Sequence, residues 1–344
     1  EGLDLAESPP DPCPSLVPSF SFPTPLDHPS LQPPSNGFPC RIVVATVVTG
    51  GYDPFDFTNP LASGRRVCYF LFTDEAGARQ FVPEEQLNQT LPRVGQWSVA
   101  IIPAADYSHV RMSRFPKMIA HRAFRTAEYL LYLDAKYILR RYPASSIEAF
   151  VLETAQPDGR KVAWVSPSHP TRHTAYEELL EVCMLGASYA GPGDAIVEQA
   201  THYFAKGFPI WPPPFLIDGG WHIQHLKDPD SARLGCAWLA EFLSWETFRD
   251  QLSFNYAAWA ANISFFRCEE HADEMVSGFV TSNTGHLVKK LPKPRSPRCH
   301  ELVALAPNCS WTGRNPCCSS CKAEFGHSAA PDSETARGAF LEKK

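Results

Sequence analysis

Residues 41–51, RIVVATVVTGG, decide the fold class of this chain. From Ile42 to Val48 the side chains are β-branched or small, with one polar position at Thr46. A half-buried strand alternates apolar and polar residues. A run apolar on both faces reads as a strand covered on both sides, as in a parallel sheet. It runs into Thr49-Gly50-Gly51-Tyr52-Asp53, which reads as a turn. Outward from it the pattern repeats. VCYFLF (67–72) ends on Thr73-Asp74, Trp97 to Ile102 is a third run, and YLLYL (129–133) ends on Asp134. Val162 to Val165 is another strand. Met112 to Thr126 reads as a helix interrupted early by Pro116. Periodicity predicts further helices over 174–188, 194–206, 237–242 and 245–261, with a loop over 208–215 and a short strand over 220–226. Strands alternating with helices give an α/β class with a mainly parallel sheet.

The chain of 344 residues is 44% hydrophobic, enough for one large domain or two small ones. A formal charge of −6 argues against general nucleic-acid binding, which wants a basic domain. No run of about 18 apolar residues is present to span a membrane. Prolines crowd residues 1–40, which reads as an extended stem. The first residue is Glu1, so a trimmed or mature form is expected, with any signal or membrane anchor lying upstream. The domain proper is expected over 41–290. Residues 291–344 hold Cys299, Cys309, Cys317, Cys318 and Cys321, five of the eleven cysteines, and read as a disulfide-stapled appendage and tail. Cys317-Cys318-x-x-Cys321 with His300 and His327 lacks the paired C-x-x-C spacing of a zinc site. Sequons at Asn88, Asn262 and Asn308 join the cysteines in pointing to the secretory pathway.

In an open α/β sheet, ligands gather beyond the carboxyl ends of the strands. Thr46, Gly50, Gly51, Tyr52, Asp53, Asp74 and Asp134 all lie on or after such strands. Just upstream of Asp134 stand Arg111, Arg114, Lys117 and His121, and just downstream Lys136. Arginine grips phosphate through a planar fork and lysine as a point charge, so this stretch suits a phosphate-bearing anion. Asp134 lacks a carboxylate partner two residues on. A divalent Mn²⁺ or Mg²⁺ held by Asp134 and a distant His225 is one arrangement, and direct neutralisation of phosphate by Lys136 is the other. Later, Arg249, Asp250 and Gln251 lie between aromatics, with Asp250 a general base or a contact for acceptor hydroxyls. His169 and Glu178 precede or begin a helix.

Taken in order, ATVVTGGYD (45–53), FTD (72–74), R-x-x-R-x-x-K-x-x-x-H (111–121), YLLYLDAK (129–136), HPTRHTAYEE (169–178), EQATHYFAKGFP (198–209) and FRDQLSF (248–254) resemble the plant and algal DUF616 family, the TOD1/MUCI70-type glycosyltransferase-like domain. The resemblance covers roughly residues 41–270. It implies a GT-A-like, Rossmann-like nucleotide-sugar fold, a type II Golgi topology and work on cell-surface polysaccharide or glycoprotein. Residue by residue it points to Asp53, Asp74, Arg114, Lys117, His121, Asp134, His225 and Asp250, and it implies His169, Glu178, Glu241, Arg249 and Gln251 on the acceptor side. The partners it implies are a nucleotide-sugar donor and a glycan acceptor. The family usually has Gly where this chain has Ala135. Some members are connected with ceramide hydrolysis, which makes a lipid amide hydrolase the alternative. His121, His169, His222 and His225 would then supply zinc ligands, although neither H-E-x-x-H nor G-x-S-x-G occurs. A non-catalytic glycan- or nucleotide-binding module is a third reading.

Overall fold

The computed structural model describes residues 13, 26, 40–50, 55, 66–102, 107–135, 137–139, 144–156, 159–169, 172–184, 191–209, 215–268, 280–282 and 297–302. Gly51, Tyr52, Asp53, Lys136 and the cysteines from Cys309 onward lie outside them. The strands are β1 (Ile42–Val48), β2 (Val67–Thr73), β3 (Arg93–Val94), β4 (Trp97–Ile101), β5 (Tyr129–Leu133), β6 (Tyr137–Leu139), β7 (Trp164–Pro167), β8 (Trp221–His225), β9 (Phe266–Cys268) and β10 (Val280–Ser282). The α-helices are α1 (Glu75–Phe81), α2 (His109–Met112), α3 (Arg114–Met118), α4 (Ala144–Thr154), α5 (Ala175–Met184), α6 (Gly193–Ala205), α7 (Pro229–Leu243) and α8 (Gln251–Ala260). Eight strands form one sheet in the order β3-β4-β2-β1-β5-β8-β7-β9, and β6 pairs with β10 apart from it. Strands β4, β2, β1 and β5 are mutually parallel. The α/β, Rossmann-like reading with a mainly parallel sheet holds.

The reason lies in how β1 and β5 are covered. Along β1, Val43, Ala45 and Val47 enter one apolar layer, while Ile42, Val44 and Val48 enter the other. Along β5, Leu130 and Tyr132 face the first layer, and Tyr129, Leu131 and Leu133 the second. Side chains of a strand alternate between faces, so a strand with apolar layers on both sides needs the continuous runs seen in the sequence. Helices α3, α7 and α8 supply the first layer, and α4 the second.

Strand β8 departs from the parallel scheme. It lies between β5 and β7 and runs antiparallel to both. Trp221 is therefore level with Leu133 at the carboxyl edge of β5, and His225 with Tyr129 at the opposite edge. The expected helix over 112–126 is three short pieces, α2, α3 and a 3-10 turn over Ala120–Arg122. Pro116 is the third residue of α3, where a missing N–H costs nothing, so the chain starts a new helix around it. Helix α8 begins at Gln251 rather than near Trp245. Helix α7 starts earlier than expected, with Asp228 capping the N–H of Asp230 and Pro229 in the first turn.

Disulfides join Cys13 to Cys236, Cys40 to Cys68 and Cys183 to Cys299. Leu26 is buried and donates its N–H to the Ala123 carbonyl at 2.9 Å. Cys299 and Leu302 pack with α5, α6 and α8 in a third apolar cluster. No helix among the described residues is long and apolar enough to cross a membrane.

Helix α7 crosses α3 at Gly235, where an added Cβ would stand 2.0 Å from the Met118 carbonyl oxygen. Backbone cannot retreat from such a contact without moving a helix. Gly235→Ala is expected to destabilise the fold by about 3 kcal/mol, despite alanine's better helix propensity. Urea unfolding of the two proteins checks this, and an unchanged midpoint would refute the close crossing.

Candidate functional site

The site forms where α3, the ends of β5 and β7, the start of β8 and the start of α8 meet. Lys117 projects from α3 into the core with 1% of its surface exposed. Its ammonium donates to the Gly219 carbonyl at 2.5 Å and pairs with the Asp250 carboxylate. Asp134 Oδ1 lies 4.0 Å away. The rings of Tyr132 and Trp238 flank it at 5.4 and 5.6 Å. The Lys117 carbonyl accepts from Gln224 Nε2 at 2.7 Å, tying α3 to β8. A buried ammonium is tolerated only when paired and hydrogen-bonded, and every feature here serves that end.

Asp250 occupies the N-cap position of α8 without capping it by its side chain. Its carbonyl accepts from the Trp238 indole at 2.9 Å and from Ser253 Oγ at 3.0 Å. The carboxylate is left to Lys117 and to Arg114, whose Nε is 3.6 Å from Oδ1. Burial alone would push the Asp250 carboxyl up; Arg114 and Lys117 outweigh it and hold the group well below the usual carboxylate range. A general base works best with a pKa near the working pH. Engaged by two cations, Asp250 suits a fixed anion that positions Lys117 better than the expected acceptor-side base. Asp134, at the end of β5, is partly exposed and accepts from Tyr132 Oη at 3.1 Å.

A second charged group adjoins the first through the chain neighbours Arg249 and Asp250. Glu178 on α5 is fully buried and pairs with both Arg172 and Arg249. His169 accepts from the Arg172 backbone N–H at 3.0 Å, and its other ring nitrogen is 3.1 Å from the Arg172 guanidinium. Burial, then the neighbouring Arg172 charge, lowers the His169 pKa to about 4. Gln251 donates to the Ile217 carbonyl at 3.0 Å, behind Gly219.

Other expected site residues have structural duties. The Asp74 carboxylate accepts from Gly77 N–H at 2.8 Å and Gly50 N–H at 2.9 Å, and lies 2.7 Å from His109 Nδ1. With three of its acceptor positions taken, it holds the loop after β1 against the start of α1. Gly50 takes a positive φ of 64° in that loop. Thr46 is buried within β1, opposite Leu71. Arg111 donates to the carbonyls of Leu243 and Trp245 and lies over Phe242 and Phe248, where its charge complements the C-terminal end of α7. Glu241 accepts from the Trp245 indole at 2.5 Å. His121 stands beside the Cys13–Cys236 disulfide, 3.8 Å from Cys236 Sγ.

Asp134 and His225 do not share an ion. Antiparallel pairing sets His225 opposite Tyr129, five residues before Asp134, a strand length of about 17 Å. His225 instead stacks on Tyr129. His222 is sandwiched between Tyr132 and Trp164 in the core. The four histidines of the hydrolase alternative are thus dispersed. Asp218 and Gly219, absent from the sequence-based list, build the turn into β8, with Gly220 N–H donating to Asp218 Oδ1 at 3.0 Å and Asp134 N–H to the Gly220 carbonyl at 2.8 Å. Their signal was the Asp-Gly-Gly run before a short strand.

The profile of the family described as TOD1/MUCI70, glycosyltransferase-like domain, matches residues 36–283. The chain is 31% identical over 225 residues to an Arabidopsis thaliana protein described as probable hexosyltransferase MUCI70. That match takes in 63% of this chain and 37% of the longer relative. Among solved structures, the apo form of the bifunctional glycosyltransferase WbbM is similar at 10% identity and a TM-score of 0.38, over 67% of this chain and 39% of that one. At that score the likeness carries no argument about the site. The match over 36–283 holds every described residue of both charged clusters, and the chain belongs to the TOD1/MUCI70 glycosyltransferase-like domain family.

Proposed function

We propose that the chain is a glycosyltransferase of GT-A type that moves a sugar, a hexose by analogy with its relative, from a nucleoside-diphosphate donor to a cell-surface polysaccharide or glycoprotein. The observation that carries this reading is the gathering of Arg114, Lys117 and Asp134 at the carboxyl edge of β5, where open α/β sheets take their ligands. As the bond from the sugar's anomeric carbon to the diphosphate breaks, negative charge develops on the leaving oxygen. Arg114 at the rim, and Lys117 through its field from behind, both fixed in advance by Asp250, stabilise that charge at no cost in reorganisation. Asp134 is the carboxylate a substrate can reach. In an inverting transfer it takes the proton of the acceptor hydroxyl as that oxygen bonds to the anomeric carbon. The His169–Arg172–Glu178–Arg249 group forms the acceptor-side wall.

The test is sugar transfer from a panel of nucleotide sugars to plant cell-wall oligosaccharides. Lys117→Ala and Asp134→Asn are each expected to lower the rate by about 10²–10³-fold, the usual loss for a charge-stabilising group. Undiminished transfer in both would sink the reading, as would release of sphingoid base from ceramide in place of sugar transfer.

A Golgi or secretory setting is part of the proposal. Its support is the three disulfides and two sequons whose asparagines, Asn88 and Asn262, are exposed. Asn262 has a φ of 53° just beyond α8, and the Ile263 N–H to Ala258 carbonyl bond closes that helix end over it. Expressed through a eukaryotic secretory pathway, the chain is expected to carry glycans at both positions. Asn88→Gln and Asn262→Gln would each remove one glycosidase-sensitive mobility step, and no shift in either would count against lumenal synthesis.

A further inference from the structure

A divalent ion is the usual companion of a nucleotide diphosphate on a fold of this kind, so the donor set must be asked whether it fits one. Mg²⁺ and Mn²⁺ want about six hard oxygen ligands at roughly 2.1 Å. Among the described residues, the trio of His, Cys, Asp or Glu with ligand atoms close together is Cys13, His121 and Cys236. Two of these are joined as a disulfide, so they offer no thiolate. At the site itself, Asp250 is engaged by Lys117 and Arg114. Asp134 accepts from Tyr132 Oη, and Asp218 Oδ1 from the Gly220 N–H. His225 is at the far edge of the sheet.

What the oxygens do surround is an ammonium. Gly219 carbonyl, Asp250 Oδ2 and Asp134 Oδ1 all face Lys117 Nζ, which has three protons to give. The rings of Tyr132 and Trp238 lie 5.4 and 5.6 Å from it, contacts that suit an ammonium rather than a metal. The cradle is built around that head. A Cβ on Gly219 would stand 3.2 Å from Nζ and 2.9 Å from Gln251 Cγ, so glycine is what lets the carbonyl come close.

We propose that the Lys117 ammonium, held by Asp250, Gly219 and Asp134 between Tyr132 and Trp238, is the resident cation of this site and that the donor's diphosphate binds without a divalent metal. This rests on the glycosyltransferase reading above and specifies how that site meets its donor. Arg114, at the rim, supplies the second positive charge to the phosphates, in a fork that matches them.

Titration calorimetry of the wild-type chain with UDP, GDP and CDP tests it, each in EDTA and again in Mn²⁺ or Mg²⁺. The expected result is that one nucleotide binds with a dissociation constant that metal changes by less than about threefold. Tightening by about tenfold or more with metal would overturn the inference while leaving the glycosyltransferase reading intact. Absence of binding by all three in both conditions would overturn the reading and the inference with it. Lys117→Met, its fold checked by circular dichroism, is expected to weaken nucleotide binding in EDTA by about tenfold or more, and unchanged affinity would also overturn the inference.

Discussion

Asp250→Asn is expected to lower the stability of the fold by about 3–5 kcal/mol, the usual cost of leaving a buried charge without its partner. The charge left behind is Lys117, which is 1% exposed and has no water to turn to. Gly219 still accepts from it, but a carbonyl dipole does not replace a carboxylate. Lys117→Met should cost less, because Asp250 keeps Arg114. The double variant Lys117→Met/Asp250→Asn should then be more stable than Asp250→Asn alone, with a coupling energy of about 2 kcal/mol. Urea unfolding of all four proteins reads both quantities. Simple additivity would mean that the pair is not the energetic unit the structure draws. Sugar transfer should fall in every variant, and in Asp250→Asn it should fall because the ammonium is no longer held in place. The acid limb carries a further signature. The Asp250 pKa is depressed in the folded state, so its contribution is fully present above the unfolded value near 3.9 and is lost as pH falls towards the folded one. Asp250→Asn should therefore unfold with a shallower dependence on pH below about 4.

How far the sequence foretold this arrangement depended on the kind of interaction. The strands β1, β2 and β5 were legible because burial on both faces leaves almost no polar position to disguise the run. Their polar ends marked the edge where Asp134 lies. Lys117 and Arg114 stood out because two cations three apart precede the strand that ends on Asp134. Strand direction was not legible. Nothing in WHIQH says that β8 enters the sheet antiparallel, and the proposed pairing of Asp134 with His225 failed on that point alone. The role of Asp250 was hidden for a different reason. Its chemistry is set by Lys117, 133 residues earlier, and by Arg114, and no local pattern carries a contact over that distance. Asp74 and Arg111 looked like ligand groups because isolated charges beside strand ends usually draw that reading. Backbone N–H groups and helix-end carbonyls claimed them instead, and unpaired backbone polar groups are what a sequence does not display. The continuous helix over 245–261 failed because 245–250 passes beneath Arg111 as irregular chain before Asp250 starts α8.

Stability is also expected to fall steadily as pH drops from about 6.5 towards about 4.5, before most carboxylates titrate. Three histidines favour the neutral form in the fold. Burial, then Arg172, takes His169 to about 4; burial, then Lys117, takes His222 well below its ordinary value; burial, then Lys161, lowers His225. In the unfolded chain each would protonate near 6.5. Between the folded and unfolded values the unfolded state binds more protons, so stability rises with pH across that window and is level above it. For His169 alone, a shift from 6.5 to about 4 corresponds to about 3 kcal/mol once the window is crossed. Protonation there would also add a third positive charge beside Arg172 and Arg249, which share the single carboxylate of Glu178. Urea midpoints measured from pH 7.5 to 4.5 would show the decline. His169→Gln, which keeps a hydrogen-bonding side chain without the titration, should flatten part of it while leaving the midpoint near pH 7.5 close to that of the wild type. A wild-type midpoint that stays level down to pH 4.5 would mean that His169 is solvated and free to charge, and the acceptor-side wall would have to be redrawn around it.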